Sequence, residues 1–225
     1  KTAYEIVDCD WSSDVCSSDL GALSLFPHPS DAFGKVGVVA GHSVGEFTAA
    51  AGARAITAES AMVLVKERGA AMAEASTRAK TGMSAILGGE RESVLQAITA
   101  HNLVAANENG AGQIVAAGLL SDLQALEGAP PEGARIRALA VAGAFHTPYM
   151  ESAREHLAKL AGQVSVRDPR TRVLSNADGA VIHSGREILH RMVTQISAPV
   201  RWDLCMQTLG ELGVTAVIEV PPAGT

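Results

Sequence analysis

The sequence predicts an α/β fold, a mostly parallel sheet flanked by helices with a smaller βαββαβ unit set into it. Three observations carry this: an apolar, β-branched run at 36–40 that ends on glycine, a change to short alternating elements between 82 and 141, and a return to helix and strand alternation from 149 onward.

The run Val36 to Ala40 suits a buried parallel strand. Glu46 to Ala53 is rich in alanine, and Glu59 to Ala75 places Met62, Val63, Val65, Ala70 and Met72 between charges, so both read as helices. Thr57 and the pair Glu59 and Ser60 offer polar starts for the second helix. Strands are expected at Met83 to Leu87, Leu103 to Ala106, Gln113 to Ala117 and Arg135 to Val141, with helices at Glu92 to Ala100 and Ser121 to Glu127. That βαββαβ order is ferredoxin-like, and its turns hold Asn107, Asn109, Gly110, Gly112, Gly128, Pro130 and Pro131. Further on, Tyr149 to Leu160, Glu187 to Ile196 and Trp202 to Leu212 read as helices, and Val173 to Ser175 and Ala216 to Val220 as strands.

The expected organisation is therefore a discontinuous α/β domain at 21–80 and 142–225, with a ferredoxin-like subdomain inserted at 81–141. Residues 1–20 repeat Ser-Ser-Asp at 12–14 and 17–19 without any helix or strand period. They read as a non-native or disordered segment, similar to translated adapter sequence, with an ordinary polar tail as the alternative. The chain stops soon after its last expected strand, so an N- and C-terminally incomplete domain is expected.

Composition narrows the function. The 225 residues are 47% hydrophobic and 19% charged, which places the chain with globular proteins and outside the disordered class. A formal charge of -6 argues against a nucleic-acid partner, since phosphate binding needs clustered Lys and Arg. Cys9, Cys16 and Cys205 form neither an even disulfide set nor a zinc spacing, so no metal is expected and a reducing cytoplasm fits. No apolar run approaches the roughly 18 residues of a membrane span.

Gly41-His42-Ser43-Val44-Gly45 fits the G-x-S-x-G pattern, with an apolar strand before it and a helix after it. In this context Ser43 sits on a tight strand-to-helix turn, as in a hydrolase-like core, where glycine on both sides relieves collisions and the hydroxyl is presented outward. The turn also brings Ser43 to a helix N-terminus, where backbone N–H groups, notably that of Val44, can hold an oxyanion. A bare match of this length is common by chance; the flanking elements give it weight.

A serine hydroxyl needs a base. Among seven histidines, His42 adjoins the nucleophile but would point away from the turn's tip, and His28, His101, His156, His183 and His190 lie in polar or helical surroundings. His146 lies at a strand-to-helix junction, in Gly143-Ala144-Phe145-His146-Thr147-Pro148, where α/β active sites assemble. A loop histidine satisfied by backbone groups is the plainer alternative.

With these residues placed, residues 21–225 resemble the malonyl-coenzyme A:acyl-carrier-protein transacylases of bacterial fatty-acid synthesis, related to the acyltransferase domains of polyketide synthases. The resemblance rests on Gly-His-Ser-Val-Gly-Glu at 41–46, Arg-Gly-Ala-Ala-Met at 68–72, Asn-Glu-Asn-Gly-Ala-Gly-Gln at 107–113, Gly-Ala-Phe-His at 143–146 and Gln-Ile-Ser-Ala-Pro-Val-Arg-Trp at 195–202. It implies an acyl-carrying Ser43, His146 as its base and Arg68 gripping the malonyl carboxylate. Without it, Arg68 would read as a solvated helix charge or a partner of Glu67 or Glu74. The resemblance further implies that a backbone carbonyl at Gln195 orients the base, that Phe145 disfavours branched acyl groups, and that His42 and Val44 bind substrate while Asn107 supports the site.

The activity that the resemblance implies is malonyl transfer from coenzyme A to the phosphopantetheine thiol of acyl carrier protein. Malonyl-coenzyme A and the carrier are the expected partners, the thioester being substrate and no cofactor permanently bound; a cytoplasmic monomer without membrane contact is expected. The sequence departs from the family in lacking the opening Gly-Gln-Gly-Ser/Ala-Gln motif, whose loop supplies a second oxyanion donor, and in ending on Val220-Pro221-Pro222-Ala223-Gly224. The alternatives are a serine hydrolase of the α/β-hydrolase class, which would need a late histidine and an acid between it and the serine, or an inactive fragment.

Overall fold

The computed structural model describes residues 36–218, so the expectations for residues 1–20, His28 and the final motif at 220–224 lie outside the described residues. Strand β1 (Val38–Val39) leads through the turn at 41–44 into helix α1 (Gly45–Gly52), followed by α2 (Ala58–Ser76). The Thr57 side chain accepts the Ser60 N–H and so caps α2. The inward face of α2 buries Ala61, Leu64, Val65, Arg68, Met72 and Ala75 at helical spacing.

The next elements are β2 (Thr81–Gly88), α3 (Arg91–Ala100), β3 (Val104–Gly110), β4 (Gln113–Leu119), α4 (Leu120–Gly128) and β5 (Ala134–Ala138). They precede a 3-10 turn at Pro148–Met150, α5 (Glu151–Ala161), β6 (Arg172–Leu174) and β7 (Val181–Ile182). The described chain then forms α6 (Gly185–Thr194), a 3-10 turn at Gln195–Ser197, β8 (Val200–Arg201) and α7 (Trp202–Glu211).

Two sheets result. One has the order β5-β2-β4-β3-β8, antiparallel except for the β3 and β8 pair, where Asn107 meets Val200 and Glu108 meets Arg201. The two-residue alternation of strands divides its side chains. Ile86, Ile114 and Ala116 face α3 and α4, joining Val94, Ile98, Leu123 and Leu126 in a small core. Met83, Ala106, Val115 and Ala117 face the opposite way and merge with the main core around Phe47, Leu64, Met72, Phe145, Met150, Leu157 and Ile196. The face of this sheet turned away from α3 and α4 is thereby tied to the body that carries Ser43.

The other sheet, β1-β6-β7, corrects the expectation of a mostly parallel sheet. β1 and β6 are parallel, but β6 and β7 are antiparallel. Only six residues separate β6 from β7, too few for the crossover that a parallel neighbour requires, and a turn closed by Gly179 N–H to Ser175 O at 2.8 Å reverses the chain. The strand expected at Ala216 to Val220 is also corrected: residues 214–218 have no regular structure, and Val217 and Ile218 are 71% and 78% exposed, without a strand partner among the described residues. β7 and β8, two residues each, are too short to give a periodic signal in the sequence.

Leu157 of α5 is fully buried in the main core, against α2. Leu157→Ala should destabilise the fold by about 2–5 kcal/mol, read as a lowered melting temperature in a calorimetric scan.

Candidate active site

The turn between β1 and α1 holds Ser43 in the left-handed region, at φ 53. A non-glycine residue there carries strain of order 1–3 kcal/mol, tolerated only where the surroundings over-determine it. Gly41 makes the turn possible, since a Cβ at that position would meet the carbonyl carbon and oxygen of Gly45 at 2.0 Å. Gly45 has no such steric role, because a Cβ there meets nothing within 4 Å, and this corrects the expectation that both glycines relieve collisions. The backbone N–H groups of Gly45, Glu46 and Phe47 bond to the carbonyls of His42, Ser43 and Val44, while that of Ser43 is taken by the Asn176 side chain at 2.8 Å. No acceptor is found among the described residues for the N–H of Val44, the residue after the serine.

Ser43, Arg68 and His146, separated widely in sequence, meet around one oxygen. Ser43 Oγ lies 2.7 Å from His146 Nε2, and Arg68 Nη2 donates to the same oxygen at 2.9 Å. All three residues are buried. His146 Nδ1 is 2.8 Å from the backbone carbonyl of Gln195. A carbonyl can only accept, so Nδ1 carries the proton and Nε2 is left free to take one from the serine hydroxyl. His146, like Ser43, has positive φ, at 59. Its loop is held by the Thr81 hydroxyl, which accepts the Ala144 N–H at 3.1 Å, and by the Thr147 hydroxyl, which donates to Ala144 O at 2.6 Å.

Electrostatics keep the imidazole neutral. Burial, then the Arg68 charge, lower the His146 pKa to about 3, against the bond to the Gln195 carbonyl and with a small further push from His42. The ring is thus an unprotonated acceptor at neutral pH, as proton abstraction from a serine requires. His42 is likewise lowered, chiefly by burial. Its Nε2 donates to Asn109 Oδ1 at 2.9 Å and its ring meets Trp202 edge-on at 5.6 Å.

The other residues singled out in the sequence take distinct places. Phe145 is buried in the main core immediately before His146. Asn107 is buried on β3, but the asparagine of its motif that reaches toward the turn is Asn109, which also donates to Gln113 Oε1 at 3.1 Å. The neighbouring carboxylates on α2 pair with other residues, Glu67 with His156 and Glu74 with Arg78.

Two residues that sequence reasoning missed complete the buried surroundings. Glu46 follows the G-x-S-x-G run but reads as an ordinary helix charge, and Asn176 reads as a turn residue after β6. Each is buried and bonded into the turn. The available signal for Asn176 was its position at the carboxyl end of a strand, where α/β sites collect. Among the described residues no group of three or more His, Cys, Asp or Glu could hold a metal ion. No helix among them is long and apolar enough to cross a membrane.

A serine oxygen held between a neutral imidazole and a guanidinium, on a strained strand-to-helix turn in an α/β body, is the arrangement of a serine nucleophile with its base. The acyl transferase domain family matches residues 32–224, and the chain belongs to that family. It is 50% identical over 192 residues to the malonyl CoA-acyl carrier protein transacylase of Mycobacterium bovis, covering 85% of this chain and 64% of that protein. It is 35% identical to the transacylase of the same name from Bacillus subtilis, covering 81% of this chain and 60% of that one. The chain thus spans under two thirds of the length of these relatives.

Among solved structures, one titled MCAT from Mycobacterium tuberculosis superposes with a TM-score of 0.91 at 44% identity, covering 96% of this chain and 72% of that one. A type II polyketide-synthase acyl-carrier protein in complex with its malonyl-transacylase matches with a TM-score of 0.82 at 28% identity, covering 91% and 69%.

Two measurements probe this geometry. Gly41→Ala should abolish folding or cost at least about 3 kcal/mol, because backbone atoms cannot retreat from the new methyl group, whereas Gly45→Ala should leave the melting temperature unchanged or raised. In a nuclear magnetic resonance titration, the His146 ring should stay neutral from pH 8 down to 5. Arg68→Ala should move its titration upward, since a charge that opposes the imidazolium is gone.

Proposed function

We propose that this chain transfers a malonyl group from coenzyme A to the phosphopantetheine thiol of acyl carrier protein through an ester on Ser43. The observation that carries the proposal is that one buried oxygen, Ser43 Oγ, has a neutral base and a cation at hydrogen-bonding distance. A base alone would suit any acyl group; a guanidinium beside the nucleophile suits an acyl group with its own carboxylate, which its planar fork can hold by two charge-assisted bonds. The names of the relatives at 50% and 35% identity point the same way.

In the first half-reaction His146 Nε2 takes the Ser43 proton and Oγ attacks the thioester carbonyl. The imidazolium so formed stays paired through Nδ1–H to the Gln195 carbonyl. The Val44 N–H faces the developing oxyanion, and collapse expels the coenzyme A thiolate, which takes the proton from His146. In the second half the carrier's thiol gives its proton to His146 and attacks the malonyl-serine ester, and His146 returns that proton to Ser43 Oγ as it leaves. Arg68 holds the malonyl carboxylate through both halves and so fixes the ester carbonyl for the incoming thiol. A carbonyl rather than a carboxylate at His146 Nδ1 favours this reading over an α/β-hydrolase triad.

Phe145, buried beside the base, limits space at the acyl α-carbon and favours malonyl over branched groups. His42 and Val44 line the substrate's approach, with Gln195 and Asn107 as support. Coenzyme A enters as a thioester substrate with no permanent cofactor, and the working form is a cytoplasmic monomer with neither nucleic acid nor membrane as partner. The strands β2 to β5 with α3 and α4 form a ferredoxin-like subdomain at 81–141 within an acyltransferase body at 21–80 and 142–225, preceded by a segment at 1–20 foreign to it.

Brief exposure to malonyl-coenzyme A followed by intact-mass measurement should show one malonyl adduct, absent in Ser43→Ala; a wild-type chain without the adduct overturns the proposal. Arg68→Ala should lose about ten- to hundredfold of the preference for malonyl over acetyl, the worth of a charge-assisted pair.

A further inference from the structure

Beneath the reacting residues lies a second layer of polar side chains, all buried: Glu46, Asn176 and Gln195. Asn176 Oδ1 accepts two bonds, from the Ser43 N–H at 2.8 Å and from Gln195 Nε2 at 3.1 Å. Its Nδ2 donates to the Gly41 carbonyl at 2.9 Å. The Asn176 backbone N–H donates to Glu46 Oε1 at 2.6 Å, and Gln195 Nε2 reaches Glu46 Oε2 and the Ser43 carbonyl as well. One amide side chain therefore touches the backbone of the nucleophile, the glycine that makes its turn possible, and the residue whose carbonyl orients the base.

The chemistry is specific to an amide. Gly41 offers a carbonyl and needs a donor; Ser43 offers an N–H and needs an acceptor. Only a group that donates from one atom and accepts at the other satisfies both, which Asn does and neither an ionised Asp nor an apolar residue can. The strain of a left-handed serine is sustained by this over-determination rather than by the turn alone.

We propose that Asn176, seated by Glu46, is a positioning residue for acyl transfer: it locks the Ser43 turn in register with the Gln195 carbonyl behind His146, and it withholds the Ser43 N–H from the oxyanion. The oxyanion then takes its local donor from Val44 alone. This rests on the reading of Ser43 as the acyl-carrying residue, and it is indifferent to which acyl group is carried.

The test uses a fluorophosphonate, which labels an activated serine whatever its natural acyl donor. A chain that takes this label but no malonyl would sink the function proposed above and leave the present one open to trial. Asn176→Ala should label Ser43 about ten- to hundredfold more slowly, with the loss in the maximal rate and the half-saturating concentration within about threefold.

Asn176→Asp supplies a signature that mere support would not. Its introduced carboxyl can donate and accept only when protonated, so its rate relative to wild type should climb as pH falls from 8 to 5.5. The same ratio for Asn176→Ala should stay flat. Equal, flat ratios for both variants, or wild-type labelling by Asn176→Ala, overturn the proposal.

A measurement on the wild-type chain stands even if neither variant folds. In the phosphonylated protein the Val44 amide proton should shift strongly downfield and the Ser43 amide should barely move. A large shift at Ser43 overturns it.

Discussion

The hydrogen bond between Ser43 Oγ and His146 Nε2 joins residues 103 apart in sequence, and most of the described architecture acts to keep its 2.7 Å length. A serine hydroxyl transfers its proton only along a short, aligned path, so both ends must be fixed independently of each other. At one end β1, α1 and the close approach of Gly41 to Gly45 hold the serine in a left-handed turn. At the other, the loop after β5 is tied to β2 through Thr81 and delivers His146, also left-handed, onto the Gln195 carbonyl. The packing of Met83, Val115 and Phe145 in one core makes the two ends a single body.

Burial sets the electrostatic character of the site. An exposed arginine beside a histidine would be screened; here both are out of water, and the guanidinium adds to desolvation in keeping the imidazole neutral. The same burial pushes Glu46 up to about 7, even though the Asn176 and Gln195 N–H groups and the charges of Arg68 and Arg191 draw it down. It also pushes the Cys205 thiol up to about 12, so this cysteine is an inert neighbour of Asn176 rather than a competing nucleophile. The carboxylate-binding role proposed for Arg68 thus starts from a guanidinium that bonds the serine oxygen.

Elements with a strong local period were legible. The helices at 58–76 and 151–161 and the strands at 81–88 and 113–119 stand close to where apolar spacing placed them. Ser43 and His146 were legible for a different reason, each sitting in a short motif whose context, strand then turn then helix, can be read without coordinates. Less legible was whatever depends on the far side of a contact. Glu46 looks like any charge in a first helical turn until Asn176 and Gln195 are seen to meet it. Asn109 rather than Asn107 reaches His42, on a strand whose register shifts against β4 no period reveals.

By itself the sequence determined the kinds of element, the strained turn around Ser43 and the candidate residues, because propensity, capping and glycine placement act over a few neighbouring residues. Tertiary structure alone decided that β6 and β7 run antiparallel, that Gly41 but not Gly45 is sterically required, and that Asn176 binds the serine's backbone. Those outcomes depend on distances between segments more than a hundred residues apart, such as the 133 between Ser43 and Asn176, or on the path of one short turn, and local chemistry carries no record of either.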